Sequence, residues 1–412
     1  MLDLRHHFHL PPEPKAVELR AFTHGLQPKS VPAMMTHFVA DWQQRGVDAW
    51  NAVPNHWRPE SGDPVGWWTL PSYLGDQFIA PLLHAPQGTC IMQPNVNWIV
   101  QALISAPEPV AARRKIVVTE NAFPSVLHTV RQWQDVCGLD VVVLPATEAG
   151  FVDQDAVRSA IDDETAWVFL SHVGFTTGER LTGDFLHQVG EACHKHGALF
   201  AIDGYHATAS IPTDVQALGV DVYFGGLLKE ACGSSGNAYL YVRNGVELTP
   251  RLTGWFGDAD PFGFQQHPQA HPEVRQRFLG GTTSVASHYH AVEGLRLFLD
   301  LGIDRMYADV MEKSGYAIER ARAAGLTLRS PIHTERRSAM LLFDVPYADR
   351  LSAYLKQHRV YTDSRKGALL RMAPFVWNTQ DDLDCAFDLI GEAVRSGHYL
   401  DASLSSVGGP VT

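Results

Sequence analysis

Ala198-Leu-Phe-Ala-Ile-Asp203-Gly-Tyr-His206 and Asp221-Val-Tyr-Phe-Gly-Gly-Leu-Leu-Lys229 are the two stretches that decide the fold. Each is a short apolar run that ends in reactive groups, a carboxylate and an imidazole in the first and an amine in the second. Uninterrupted apolarity, in place of the alternation of a half-exposed strand, marks strands covered on both faces. The same texture recurs at 88–92, 115–119, 140–144, 166–170, 220–224 and 238–242, with helical patterns in between. In one of these, Phe185, Val189 and Cys193 repeat every fourth residue and Gly197 stands at the C-cap position. Such alternation predicts an α/β fold with a mainly parallel sheet and room for one antiparallel strand.

Outside that core the rhythm changes. Residues 246–290 are rich in Gly, Pro, Gln and His and read as a long functional loop region. Beyond it the spacing predicts helices at 287–302 and 304–324, a strand at 339–343, a helix at 347–358, a strand at 368–372 and a last helix at 380–397. The expected division is an N-terminal segment, 1–45, packing with the small domain, a large domain over 46–290 and a small C-terminal α+β domain over 291–412. The end from residue 402 is small and polar and is expected to fray.

The chain has 412 residues, 45% of them hydrophobic, enough for one large core and a smaller one. Its net charge of -12 and the lack of any lysine-rich tract leave no source of affinity for phosphate backbones or anionic lipid, so neither nucleic acid nor membrane is an expected partner. Cys90, Cys137, Cys193, Cys232 and Cys385 are odd in number and scattered, against a disulfide framework and in favour of a reducing cytoplasm. No apolar stretch has signal-peptide or membrane-span length, and the chain reads as soluble. The twenty histidines lack acidic or cysteine co-ligands at metal spacing, so no metal site is expected.

An amine at the end of a buried strand can condense with the aldehyde of pyridoxal 5'-phosphate. A carboxylate on another strand can keep the pyridine nitrogen protonated, which makes the ring an electron sink. Lys229 and Asp203 offer that pair. In such sheets ligands bind beyond the carboxyl ends of the strands, so the residues just after each apolar run are the candidates. Asn95 and Val96 open a helix whose free N–H groups could take a phosphate, although an ordinary N-cap reads the same way. Phe123 could lie flat on a pyridine ring, or simply be core. The segment 171–178 brings hydroxyls and an imidazole to the rim, and His206 follows Asp203 by three residues. Arg365 and Arg371 flank a strand of the tail and could grip a substrate carboxylate, or serve as ion pairs. His128, His172 and Tyr205 are either polar contacts near a cofactor or structural hydrogen-bonding residues.

Taken in order, Trp67-Trp-Thr-Leu-Pro-Ser-Tyr-Leu-Gly75, Phe123-Pro-Ser125, Ser171-His-Val173 with Thr177-Gly178, Asp203 with His206, Gly254-Trp-Phe-Gly257, Phe278 with Gly281-Thr282, and Arg371-Met-Ala-Pro374 resemble kynureninase. That enzyme is a member of the class V aminotransferase group of fold-type I pyridoxal-phosphate enzymes. The resemblance runs through most of the chain. It implies that Lys229 carries the cofactor, Asp203 partners its ring nitrogen, Phe123 stacks on it, and Asn95, Val96, Ser125, Thr177 and His206 complete its surroundings. It further implies a homodimer in which Trp255 and Thr282 reach the neighbouring subunit's phosphate, and a substrate carboxylate held by Arg371.

Departures from the resemblance bear on the reaction. Kynureninases usually place a tyrosine before the lysine, an aspartate after Phe-Pro-Ser and a threonine or serine pair before the phosphate helix. Here stand Leu228, Val126 and Pro94-Asn95. Hydrolysis of a C–C bond beside a ketone needs a proton relay in which that tyrosine takes part, whereas elimination of a thiolate from Cβ does not. The expectation is therefore β-elimination from an S-substituted cysteine-type L-α-amino acid, by a specialised-metabolism member of the group of the kind found in antibiotic pathways. Kynureninase-type hydrolysis is the alternative, followed by decarboxylation-coupled oxidative deamination of a cysteine conjugate, and a non-enzymatic binding protein stands last.

Overall fold

The structure is a computed structural model that describes residues 1–106, 113–365 and 367–401. Its strands in chain order are β1 (Val17–Glu18), β2 (Cys90–Gln93), β3 (Lys115–Thr119), β4 (Asp140–Leu144), β5 (Thr165–Ser171), β6 (Leu199–Asp203), β7 (Val222–Gly226), β8 (Ala238–Val242), β9 (Thr327–Leu328), β10 (Leu341–Asp344), β11 (Val360–Tyr361), β12 (Asp363–Arg365) and β13 (Leu369–Met372). Seven of them form the large sheet, in the order β2-β8-β7-β6-β5-β3-β4. All its pairings are parallel except those of β8, which runs against both β2 and β7.

Continuous apolarity in the strands has the expected cause. Along β5, Val168 and Leu170 pack into one core while Trp167 and Phe169 enter the core on the other face of the sheet. Phe200 and Ile202 of β6 are divided in the same way from Leu199 and Ala201. A side-chain period of two sends successive residues to opposite faces, so a strand buried on both must be apolar at every position.

Beyond the large sheet, β12-β13-β10-β9 form a small antiparallel sheet with its own core against the helices Ile303–Ala323, Ala348–Gln357 and Gln380–Ser396. The last of these opens on a capping box, in which the Thr379 hydroxyl accepts the Asp382 N–H and the Asp382 carboxylate accepts the Thr379 N–H. Where one helix is expected over 287–302 there are two, Val285–Ala291 and Glu293–Leu301, interrupted at Val292 with φ -107 and ψ 3. The helix Val31–Arg45 and the strands β1, β9, β11 and β12 are additions to the sequence reading. The frayed end expected from residue 402 lies outside the described residues.

The N-terminal segment forms half of a two-stranded sheet and then reaches the loop that carries Lys229. β1 pairs in parallel with β11, and Gly25 donates its N–H to the Leu228 carbonyl at 3.0 Å. A Cβ at position 25 would stand 2.2 Å from the Lys229 carbonyl oxygen, so glycine alone permits this approach.

Candidate active site

Ser171 and Asp203 are register partners at the carboxyl ends of β5 and β6, and Lys229 follows the end of β7 at Gly226. The sheet thereby delivers them to one place. A cavity of about 330 Å³ opens there, and among its walls are Asn95, Val96, Phe123, Ser125, Ser171, Phe175, Asp203, Tyr205, His206, Leu228 and Lys229. Gly226 has a local reason: a Cβ there would meet the Tyr205 ring at 2.3 Å. Its absence lets that ring lie against the end of β7, with Lys229 Nζ 4.8 Å from the ring centre.

Lys229 is half-buried at the cavity wall. Its Nζ is 2.8 Å from His206 Nε2 and 5.4 Å from the centre of the Phe123 ring. Desolvation lowers the amine's pKa, against the pull of the Glu230 carboxylate. Burial likewise pushes the Asp203 carboxyl up to about 6, opposed by the N–H that Tyr205 donates to its Oδ1 at 2.9 Å and by the charge of Lys229. His206 is held well below its usual range by burial and by Lys229.

Asn95 caps its helix and also lines the cavity. Its Oδ1 accepts the Trp98 N–H at 2.8 Å, an ordinary N-cap for the helix Val96–Ser105, and the same helix end faces the cavity. Phe123 packs edge-on against Phe175, with ring centres 5.2 Å apart. An amine, a buried carboxylate, a flat aromatic ring and the start of a ten-residue helix thus converge on one space, the groups that the aldehyde, pyridine ring and phosphate of pyridoxal 5'-phosphate require.

Other expected residues stand elsewhere. Thr177 is outside the cavity wall, and its Oγ1 accepts the Glu179 N–H at 3.2 Å within a buried turn. Thr282 lines a different cavity of about 290 Å³, together with Gln93, Pro94 and Trp98. Trp255 lies in the surface, edge-on to Trp68. His172 is buried and bonded to the Tyr223 hydroxyl at 2.9 Å, and burial pulls its pKa down to about 3, a structural setting. His128 is exposed on the helix Pro124–Cys137.

Arg371 is buried, and its guanidinium lies 4.0 Å over the Phe22 ring. Its Nε and Nη2 donate to the two oxygens of Asp363 at 2.8 and 2.6 Å, and its Nη1 donates to the Phe175 carbonyl at 3.1 Å. Arg365 also reaches Asp363, at 3.2 Å. Phe175 is a cavity residue, so Arg371 stands directly behind the wall.

Sequence reasoning passed over Glu230. It is buried, with one oxygen 3.7 Å from His206 Nδ1 and the other without a partner. A carboxylate directly after the lysine, in the otherwise small and apolar run 227–232, was the signal available.

The family model for class V aminotransferases matches residues 93–364. A kynureninase from Bacillus cereus is 26% identical over 388 residues, covering 91% of this chain and 87% of its own. An uncharacterized aminotransferase, YcbU, from Bacillus subtilis (strain 168) is 28% identical over 315 residues, covering 76% of this chain and 80% of its own. Among solved structures, the cystine C–S lyase C-DES with its reaction product cysteine persulfide superposes with a TM-score of 0.77 at 18% identity, covering 92% of this chain and 97% of that one. A cysteine desulfurase from Thermococcus onnurineus NA1 gives 0.76 at 17%, with 93% and 95% covered. These structural likenesses show the fold-type I architecture.

Proposed function

The chain belongs to the class V aminotransferase family of pyridoxal-phosphate enzymes, and from that premise we propose that it is a lyase that eliminates a thiol from Cβ of an S-substituted cysteine-type L-amino acid. The observation that carries this reading is the wall around Lys229. Where a relay to a carbon leaving group would want a hydroxyl before the lysine, the cavity is lined by the Leu228 side chain.

When bound, the cofactor draws electron density away from the substrate Cα. The remaining work falls to the chain. Lys229, its ammonium form disfavoured by desolvation, is the base that takes the Cα proton, with His206 at 2.8 Å to share it. The Cβ–S bond then breaks with its electron pair on sulfur, and a thiolate needs no proton in order to leave. Asp203 would pair with the ring nitrogen, whose positive charge would offset the burial that raises the carboxyl's pKa. Phe123 would stack on the ring, and Asn95, Val96 and Ser125, which line the same cavity, would hold the phosphate. Arg371, with Arg365 beside it, receives the substrate carboxylate, which requires its fork to turn from Asp363 toward the cavity.

We further propose that the working form is a homodimer. Trp255 and Thr282, which lie outside the Lys229 cavity of their own chain, would complete the partner's site.

Incubation of holoprotein with S-alkyl cysteines, kynurenine and 3-hydroxykynurenine, followed by mass analysis, tests the reading. Pyruvate, ammonium and free thiol are expected. Alanine with an anthranilate would replace it with hydrolysis, and carbon dioxide with peroxide would replace it with oxidative deamination.

A further inference from the structure

We propose that Glu230 is a positioning residue that holds the His206 imidazole through Nδ1, so that Lys229, His206 and Glu230 form a buried chain along which one proton moves. The proposal rests on Lys229 being the reactive amine, and it deepens the account of that site.

Three observations meet here. His206 Nε2 lies 2.8 Å from Lys229 Nζ. When the amine donates, Nε2 is the acceptor and the ring proton of neutral His206 must sit on Nδ1. His206 Nδ1 is buried with no hydrogen-bond partner, and so is Oε2 of Glu230. One carboxyl oxygen, Oε1, stands 3.7 Å from Nδ1, a few tenths of an ångström beyond a hydrogen bond. Buried polar groups are almost always paired, and the orphaned Nδ1 lies beside a carboxyl group whose other oxygen is itself unpaired.

The placement has a chemical use. With Leu228 before the lysine, no hydroxyl at that position can relay a proton. The route through His206 serves a different proton, the one Lys229 takes from Cα: it leaves Nζ for Nε2 as the Nδ1 proton passes to a Glu230 oxygen. Two N–H bonds break, one N–H and one O–H bond form, and no electrons change hands. Burial favours the neutral carboxyl and opposes a charged imidazole, so the chain can hold the proton at its far end. The other charged or titratable groups acting on this trio are Asp203 at the end of β6, Tyr205 just beyond it, Arg365 and Arg371 of the small sheet, and Cys232 two residues after Glu230.

The test uses the full-length chain stripped of cofactor and measures acylation of Lys229 against pH by peptide mass spectrometry. Glu230→Gln removes the carboxylate that favours the ammonium form, so the midpoint should fall by about one pH unit. In holoenzyme the same variant should lose about tenfold in kcat with KM nearly unchanged, and Glu230→Asp should restore part of both. A folded Glu230→Gln chain with an unmoved midpoint and unmoved kcat overturns the proposal. If that variant does not fold, the wild-type chain still decides: ¹⁵N NMR of labelled histidines must show His206 protonated on Nδ1 when neutral, and protonation on Nε2 overturns it. Neither the acylation nor the NMR readout involves a substrate, so failure here is distinguishable from failure of the lyase reading.

Discussion

Two clusters of charged side chains flank the Lys229 cavity, and they differ in how well their members are satisfied. On the small-sheet side, Arg371 donates to both oxygens of Asp363 and to the Phe175 carbonyl, and it covers the Phe22 ring. On the large-sheet side, Lys229 has His206, while His206 Nδ1 and one Glu230 oxygen have no partner and the Asp203 carboxyl is pushed up by burial. A paired cluster fixes geometry, since every donor already has its acceptor. An under-paired one leaves proton positions open, the property that acid-base chemistry uses. The difference teaches that burial alone does not mark a reactive cluster; what sets the large-sheet cluster apart is unmet hydrogen-bonding capacity beside the amine.

The largest effect that could break this contrast is at Lys229. Lys229→Ala should abolish the visible band of bound cofactor and cut turnover by at least about a thousandfold, or about 4 kcal/mol in the barrier. Retained turnover in steady-state assays would remove the amine from the chemistry. Next in size is Asp363→Ala, which takes from Arg371 the carboxylate that accepts two of its N–H groups. Breaking a buried pair on one side costs about 3–5 kcal/mol, readable by denaturant unfolding. A loss under about 1 kcal/mol would show that this cluster is no more structural than the other.

Asp203→Asn sharpens the comparison from the other side. The Asp203 pKa is higher in the folded chain than the ordinary carboxylate value of 3.8, reaching about 6. The fold thus binds a proton more tightly than the unfolded chain does, and this contribution is complete below pH 3.8 and lost as pH rises through 6. The ionised carboxylate therefore burdens the cofactor-free chain above that range by about 2–3 kcal/mol. Asp203→Asn should raise cofactor-free stability at pH 8, change it little near pH 4, and still depress turnover. Equal shifts at both pH values in thermal melts would refute the assignment. Phe123→Leu should have the smallest effect, weakening cofactor binding by about 1 kcal/mol, near fivefold in Kd. Spectral titration with the cofactor would detect this, and an unchanged Kd would return Phe123 to the core.

How much of this was legible in the sequence follows the same divide. The strands of the large sheet announce themselves because both faces are buried, and the parallel order then carries Ser171, Asp203 and Lys229 to one edge. The opening of one helix at Asn95 and the stop of another, Gly183–His196, at Gly197 with φ 67 follow from capping chemistry. The strands β1, β9, β11 and β12, of two or three residues, are too short for any period to register. The break at Val292 is likewise invisible, since a β-branched residue does not by itself stop a helix. Within the site, Arg371 could be placed in an apolar strand, but its engagement by Asp363 could not, because that pairing depends on the register of β12 against β13. Glu230 escaped because attention to strand ends stops at the lysine, and its meeting with His206 spans a separation set only by the fold.

Central to the whole account is the covalent attachment of pyridoxal 5'-phosphate at one lysine. Borohydride reduction of the holoprotein followed by peptide mapping tests it most directly. The reduced cofactor is predicted on the peptide that contains Lys229, in near-stoichiometric amount and absent from Lys229→Ala. Cofactor mass on another lysine, or on none, would contradict the account.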